Sequence, residues 1–411
     1  MPGPGAWPCL HGWTGFIILF ITTSTMKRII SVVTLSVLCF TSFAQADKAA
    51  LDSTRALMKR EQYLSAFHWL ITVDSNFQEL IPLAVILFTS HSNWHDVNYQ
   101  QWSLMDKPES GGGKSERVKF PMETVLDYGV KQFPKDCAMY FSMSRFYSWA
   151  INQEKRYMPL ENLRAVRDYL ARVTPANCQD EGYYYAVGYA NAYLGNPEEG
   201  ARQLGEVISL NPQHLQAQIE MAYAYVQAKQ PAKAIEAANA VFGMTKDRGL
   251  LAQASRIMGE GYEQQNDNAK AFFRYRQADT LHRTEFFNQI ALLRFCVKTG
   301  NLYSPEALNS FIGGQGRESL HIYVDAYEIY KQYNKPGELA AFCEKTMLDW
   351  PDRQMLIACA NFTLGLIRRE TDPAKAKEHF KKAKELGIMA ETYKPTRNHP
   401  NTQRMVMEAF R

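Results

Sequence analysis

One short stretch of the sequence has histidines whose spacing could support metal chemistry. His91 and His95 are four residues apart and would lie on one face of a helix, with Asp96 beside them. Two imidazoles in this arrangement would form a plausible metal-binding pair. The stretch follows the end of an apolar helix and contains Asn93, and no complete ligand set is visible. We therefore interpret it as a solvated turn.

A second stretch, 112–115, has the Gly-Gly-Lys-Ser composition of a phosphate-binding loop. That motif requires a further glycine five residues before its last one, where this chain has Pro108. It also requires a strand before it and a helix after it, and neither is indicated. No Ser/His/Asp or Cys/His arrangement has the local context of a catalytic nucleophile. The sequence therefore predicts a non-enzymatic protein with no cofactor and no metal.

A third feature is a set of aromatic, charged and amide residues, most of which recur every three or four positions, as residues on one side of a helix do. Aromatic rings beside arginine are typical of protein-binding surfaces. The alternative is that the tyrosines fill space between helices. Their offset from the packing positions predicts that Tyr185, Tyr189 and Tyr193 project into solvent. The predicted partner-binding residues are Phe141, Arg145, Trp149, Tyr185, Tyr189, Tyr193, Tyr223, Gln253, Arg256, Glu260 and Arg294.

The elements that carry these residues form a repeat. Three stretches of similar pattern begin at Glu181, Leu215 and Ala252, which are 34 and 37 residues apart. Each has one small residue in its first half and another twelve residues later. Small residues at these positions would let two antiparallel helices approach closely. The pairs of small residues are Gly188 and Gly200, Ala222 and Ala234, and Gly259 and Ala271.

This pattern resembles the tetratricopeptide repeat, whose period is 34 residues. The resemblance implies an all-α fold, a right-handed superhelical solenoid of antiparallel helix pairs. It also implies that the first helix of each pair lines a concave groove, which places the predicted binding residues in that groove. We expect N-terminal helical repeats over 47–136, a repeat array over 137–386 that is clearest over 181–283, and a C-terminal cap over 387–411.

The stretch 106–120 interrupts this pattern. It is polar and rich in glycine, so we expect a flexible loop inserted between helices. No alternation of period two indicates a β-strand anywhere in the chain.

The amino-terminal residues have the features of an export signal. Residues 26–46 begin with a basic pair, continue with an apolar run and end in Ala-Gln-Ala, which predicts a Sec-type signal peptide cleaved after Ala46. Residues 1–25 precede this signal and are interpreted as translation assigned from too early a start. The alternative is a transmembrane anchor over 13–43, which the basic pair inside that span disfavours.

Charge and cysteine content limit the function further. The net charge is +4 without a basic stripe, so nucleic acid is not an expected partner. Five cysteines follow the signal, and export would place them in an oxidising compartment. Cys137–Cys178 and Cys343–Cys359 are candidate disulfides, and buried free thiols are the alternative.

These features together predict an exported scaffold of the bacterial envelope, periplasmic or envelope-associated, that binds a protein or peptide segment in its groove. Stable membrane insertion after signal cleavage is not expected, and self-association is left open. One alternative is a receptor or carrier for a glycan or another small molecule. Leu38 precedes Cys39 where a lipobox has a small residue, which counts against a lipid-anchored glycan receptor. Another alternative is an enzyme that uses the 91–120 insertion, which the missing catalytic constellation disfavours.

Overall fold

A computed structural model describes most of the chain, which divides into two compact units after Val125. The predicted upstream segment and signal peptide (1–46) lie outside the described residues. In the described part, no helix is both long and apolar enough to cross a membrane. The described residues are 48–73, 77–94, 99–106, 114–154, 160–396 and 399–411.

The described residues of the first unit form three helices and a small antiparallel sheet. Helix α2 contacts both α3 and strand β2, and the strands are ordered β1-β2-β3. Its elements are α1 (48–59), α2 (Tyr63–Leu70), α3 (Phe77–His91), β1 (Ser92–Trp94), β2 (Gln101–Met105) and β3 (Ser115–Lys119).

The sheet corrects the expectation that the chain has no strand. Trp102 of β2 is fully buried, and its indole Nε1 donates to the carbonyl oxygens of Tyr99 and Phe120, each at 3.0 Å. Its ring centroid lies 4.8 Å from that of Phe88. With only three to five residues per strand, the alternation was too short to detect in the sequence.

The expected flexible loop over 106–120 is wrong for the part that the structure describes. The Asp106 carboxylate accepts hydrogen bonds from the Leu64 amide at 2.7 Å and the Ser65 hydroxyl at 3.0 Å, at the first residues of α2. Residues 115–119 form β3, and Phe120 is buried. Residues 107–113 lie outside the described part of the chain.

The second unit is an array of antiparallel helix pairs, which confirms the predicted all-α solenoid. Each helix from α7 to α17 packs against the next one, and each first helix from α5 to α15 also contacts the next first helix. The helices from the unit boundary onward are α4 (Met122–Gln132), α5 (Cys137–Glu154), α6 (Leu160–Val173), α7 (Glu181–Tyr193), α8 (Pro197–Leu210), α9 (Leu215–Gln227), α10 (Pro231–Met244), α11 (Arg248–Gln264), α12 (Asn268–Leu281), α13 (Phe286–Thr299), α14 (Ser304–Gln315), α15 (Leu320–Gln332), α16 (Pro336–Asp349), α17 (Gln354–Arg368), α18 (Pro373–Glu385) and α19 (Thr402–Ala409).

The turns inside the five pairs from α7–α8 to α15–α16 give the register of the array. One residue in each of these turns has a positive φ, between 57° and 92°, and these residues are spaced by 34, 37, 34 and 34 positions. The period therefore continues past the three repeats that are clearest in the sequence. The residues are Gly195, Lys229, Asn266, Gly300 and Asn334.

The small residues lie where paired helices touch, as the pattern predicts. A Cβ added to Gly188 of α7 would lie 3.0 Å from the Leu204 side chain of α8. A Cβ added to Gly200 would lie 2.6 Å from the Ala192 amide nitrogen. Larger side chains at either position would force the two helices apart.

The structure also resolves the cysteine alternatives. Cys137, the first residue of α5, is disulfide-bonded to Cys178, which lies just before α7, and their Cα atoms are 5.0 Å apart. Cys296, Cys343 and Cys359 are free and buried.

Candidate functional site

A cavity of about 710 Å³ opens on the face formed by the first helices α7, α9, α11 and α13. We call it the groove cavity. It lies wholly within the second unit, and its wall combines tyrosines with four acidic and four basic side chains. The lining residues are Tyr189, Tyr193, Glu220, Tyr223, Val226, Gln227, Lys229, Gln253, Arg256, Glu260, Glu263, Gln264, Glu285, Phe286, Phe287, Ile290, Ala291, Arg294 and Lys298.

The structure brings seven of the eleven predicted binding residues together in this wall. They are Tyr189, Tyr193, Tyr223, Gln253, Arg256, Glu260 and Arg294. The other four do not line the cavity. Phe141 and Arg145 are exposed on α5, Trp149 on the same helix is half-buried, and Tyr185 is buried.

The tyrosines form a stack, and their expected projection into solvent is wrong. Tyr185 is 1% exposed and Tyr189 is 2% exposed. Ring centroids lie 6.3 Å apart from Tyr185 to Tyr189, 4.5 Å from Tyr189 to Tyr193, and 4.8 Å from Tyr193 to Tyr223. The four-residue spacing that suggested an open row instead aligns the rings for stacking, and α9 continues the stack across the repeat.

Two ion pairs neutralise part of the cavity wall. Arg256 and Glu260, one turn apart on α11, are 2.6 Å apart and only 16% and 14% exposed. Burial lowers the pKa of Arg256, but the Glu260 carboxylate outweighs burial and raises that pKa above its ordinary value. Lys298 pairs with Glu263 at 2.8 Å, and Glu263 also accepts a 2.7 Å hydrogen bond from the Tyr275 hydroxyl.

Two further carboxylates in the wall hold the protein's own groups in place. Glu220 accepts hydrogen bonds from the Tyr193 hydroxyl at 3.1 Å and from the Gln216 amide at 2.8 Å. Burial, and then the Glu220 charge, raise the pKa of Tyr193 well above its ordinary value, so its hydroxyl keeps its proton. Glu285 accepts from the Asn288 backbone amide at 2.9 Å and caps α13.

The remaining two cations are not held in ion pairs. Arg294 of α13 is exposed, and its side chain makes neither a hydrogen bond nor an ion pair within the described residues. Burial lowers the pKa of Arg294, but nearby charges, Glu260 first and also Glu263, outweigh burial and raise that pKa above its ordinary value. The Lys229 ammonium group, in the turn after α9, likewise has no ion-pair partner there. Arg294 and Lys229 are therefore the charged groups in the cavity wall that are available to an anionic ligand group.

Several wall residues were not predicted, although the four-residue helical spacing of the predicted rows extends to them. Gln227 lies four positions after Tyr223, and Lys298 lies four positions after Arg294, so both continue predicted rows. Lys229 follows no helical spacing, because it belongs to a turn.

The candidate metal pair can be placed only in part. The His91 ring stacks on Tyr63 with centroids 4.1 Å apart, and His95 and Asp96 lie outside the described residues. In the described ranges, no group of three or more His, Cys, Asp and Glu side chains could hold a metal ion.

Comparisons with known proteins find solved structures of low similarity to this chain. No protein-family model matches the sequence, and a search of curated proteins gives no match. A tetratricopeptide repeat protein from Parabacteroides merdae is 12% identical, with a TM-score of 0.35 over 71% of this chain and 92% of that one. A Rap protein complexed with Competence and Sporulation Factor is 11% identical, with a TM-score of 0.44 over 89% and 98%. The human IFIT1 dimer with m7Gppp-AAAA is 10% identical, with a TM-score of 0.37 over 82% and 76%.

Because their TM-scores are below 0.5, these structures give no evidence about the fold beyond the helix pairing described above. The 34-residue register of the turns and the close helix contacts at small residues define the class of the second unit. It is a tetratricopeptide-type helical solenoid.

Proposed function

We propose that this chain is a non-enzymatic scaffold that binds a segment of another protein in the groove cavity. The observation that carries the proposal is the composition of the wall. Stacked tyrosines line one concave face together with two cations, Arg294 and Lys229, that have no ion-pair partner within the described residues. Aromatic and arginine side chains in a concave pocket are the residues that contribute most to binding at protein interfaces.

The wall also indicates what kind of segment would fit. Arg294 and Lys229 would bind an acidic side chain, because neither cation is held in an ion pair within the described residues. Ile290 is half-buried and Phe287 is 37% exposed, so both offer apolar surface to an adjacent apolar side chain. The preferred ligand is therefore an extended segment with acidic and apolar residues close together.

A glycan or another small molecule is the second candidate. A volume of about 710 Å³ lies within the range of small-molecule sites, and Gln227 and Gln253 offer amide groups that hydrogen-bond hydroxyls. A sugar would contact the wall without depending on the charge of Arg294.

We also propose export to the bacterial envelope through the signal at 26–46. The Cys137–Cys178 disulfide supports this, because such bonds persist in oxidising compartments. Amino-terminal sequencing of the exported protein tests it. A mature chain that begins at Asp47 is the expected result, and a mature chain that begins at Met1 would contradict it.

Binding is tested by fluorescence anisotropy with pools of labelled decapeptides, each pool fixing one residue type at one position. We expect pools with fixed Asp or Glu to bind best. Arg294→Ala should weaken that binding by at least about tenfold, since hydrogen bonds to charged groups contribute about 1.5–3 kcal/mol.

The matched control is Arg164→Ala, which removes an exposed arginine of α6 outside the cavity wall and should leave binding unchanged. Equal affinity for all pools, or equal binding by the Arg294→Ala variant, would contradict the proposal. A glycan panel is screened in parallel, and glycan binding without peptide binding would favour the second candidate.

A further inference from the structure

The face that lines the groove cavity continues beyond α13 onto α15 and α17. Successive first helices are 34 residues apart here, since α13 begins at Phe286, α15 at Leu320 and α17 at Gln354. The residues of α15 and α17 that correspond to cavity residues can therefore be read from the period. Phe287, Ala291 and Arg294 correspond to His321, Asp325 and Glu328 of α15, and Arg294 corresponds further to Phe362 of α17.

The side chains at these corresponding positions already contact another segment of the same chain. We call residues 399–411, which include α19, the strap. The His399 ring lies 2.7 Å from the Asp325 carboxylate through Nδ1, and the Asn401 amide donates to Glu328 at 3.0 Å. The Thr402 hydroxyl lies 2.9 Å from Nδ1 of His321.

Apolar contacts extend the strap along the same face. The Val406 side chain is fully buried and belongs to the apolar core that α13 to α18 share. The Phe410 ring meets Phe362 edge to face at 6.1 Å between centroids. At the other end, the His399 ring meets Phe286, a cavity residue, at 5.3 Å. The strap therefore begins where the groove cavity ends.

Charge explains why the strap occupies this section and not the cavity. The same repeat position carries Arg294 in α13 and Glu328 in α15, so the face changes sign between the two helices. The strap brings an imidazole at His399 and a cation at Arg404, whose charge acts on Glu328. The Arg404 cation matches an acidic face and would be repelled by Arg294.

We propose that the groove face of α15 and α17 is a second binding surface, and that the strap is a tethered ligand of it. A segment of the same chemistry from outside, an imidazole or cation followed by a short helix with apolar residues, would compete with the strap for this surface. This inference goes beyond the proposed function, because it does not require any ligand in the groove cavity.

The test uses a chain that ends at Thr396 and a labelled synthetic peptide of residues 399–411. The truncated chain should bind the peptide in an anisotropy titration, and the full chain should bind it at least about tenfold more weakly because its own strap fills the surface. Asp325→Asn in the truncated chain should weaken binding by up to about tenfold, because asparagine still accepts a hydrogen bond but lacks the charge that strengthens it. Glu338→Gln, an exposed acid on α16, is the matched control and should change nothing.

A second form of the protein covers the case in which the truncated chain does not fold. A protease site is inserted after Thr396, the chain is folded intact, and the strap is released by cleavage and dilution. Rebinding of the labelled peptide, unaffected by Arg294→Ala, supports the proposal whether or not the cavity binds decapeptides. Equal binding to the intact full chain, or no binding by a folded strap-free form, would overturn it.

Discussion

Tyr189 shows how one side chain can contribute to both the core and the groove. Its ring is 2% exposed and stacks between Tyr185 and Tyr193, yet it lines the groove cavity. Burying a tyrosine removes a large apolar area from water, so a residue in this position stabilises the array while it shapes the binding surface. The tyrosine stack therefore couples the stability of α7 to the shape of the cavity.

Tyr189→Ala should lower the free energy of unfolding by about 3 kcal/mol or more, as loss of a buried aromatic does. Tyr189→Phe keeps the ring and should retain most of that stability. Chemical denaturation of the three proteins measures the difference. A loss below about 1 kcal/mol for the alanine variant would restore the interpretation of these tyrosines as solvent-exposed groove residues.

At the scale of elements, close contact between paired helices depends on residues with small side chains or none. Gly188→Leu forces side-chain atoms against Leu204, because even a Cβ at this position would lie 3.0 Å from the Leu204 side chain. Overpacking of this kind costs about 1–3 kcal/mol. Because each pair stabilises its neighbour, hydrogen exchange should accelerate in α9 and α10 as well as in α7 and α8.

The matched control for that substitution is Gly205→Leu in α8. No atom lies within 4 Å of a Cβ added to Gly205, so leucine should gain helix propensity, about 1 kcal/mol, without a clash. Unchanged exchange in α9 and α10 of the Gly188→Leu variant would show that the repeat register is wrong.

We expect docking of the strap on α15 to depend on pH. Burial, and then the charge of His399, lower the pKa of His321 to about 4. A depressed histidine pKa means that docking favours the neutral ring, so stability is full above the undocked pKa of about 6.5 and is lost as the pH falls towards 4. Between pH 7 and pH 5 the docked strap should lose at most about 2 kcal/mol, since solvent screens the partly exposed ring.

Hydrogen exchange of 402–409, corrected for the intrinsic rate, measures this loss. The His321 ring faces His399, Tyr393 and Thr402. Burial raises the pKa of the neighbouring Asp325, so protonation of Asp325 favours docking at lower pH and opposes the loss caused by His321. His321→Gln stays neutral and should remove most of the dependence between pH 7 and pH 5. Strap exchange in the wild-type chain that is the same at both pH values would contradict the prediction.

At the scale of the whole molecule, the disulfide joins the start of α5 to the segment just before α7, the next first helix of the array. Cys137 and Cys178 are 41 residues apart, and closing a loop of that length stabilises a fold by about 4 kcal/mol in the chain-entropy estimate. Cys137→Ala with Cys178→Ala should therefore lower the midpoint of thermal unfolding by several degrees. Dithiothreitol should lower the midpoint of the wild-type chain and leave the double variant unchanged. A wild-type midpoint that is insensitive to dithiothreitol would contradict this.

The array could be predicted from the sequence because small residues such as Gly188 and Gly200 mark each repeat. Few other folds require small residues at that spacing. It missed the sheet, since β2 has only two buried alternating positions, Trp102 and Leu104. Seven of the eleven predicted binding residues do line the cavity, but the exposure of the tyrosines was wrong, because helical spacing gives the side of a helix and not what packs there. The sequence predicted a C-terminal cap over 387–411, but it could not predict that residues 399–411 pack on the groove face of α15 and α17, since their partners on α15 lie more than 70 residues away in sequence.

Hydrogen exchange of the full chain, with and without the best-bound decapeptide, tests most directly whether the first-helix face is the binding site. Ligand in the groove cavity should slow exchange in α9, α11 and α13, whose side chains line the wall. The second helices α8, α10 and α12 should be protected less. Protection confined to those second helices, or to the first unit, would contradict the account.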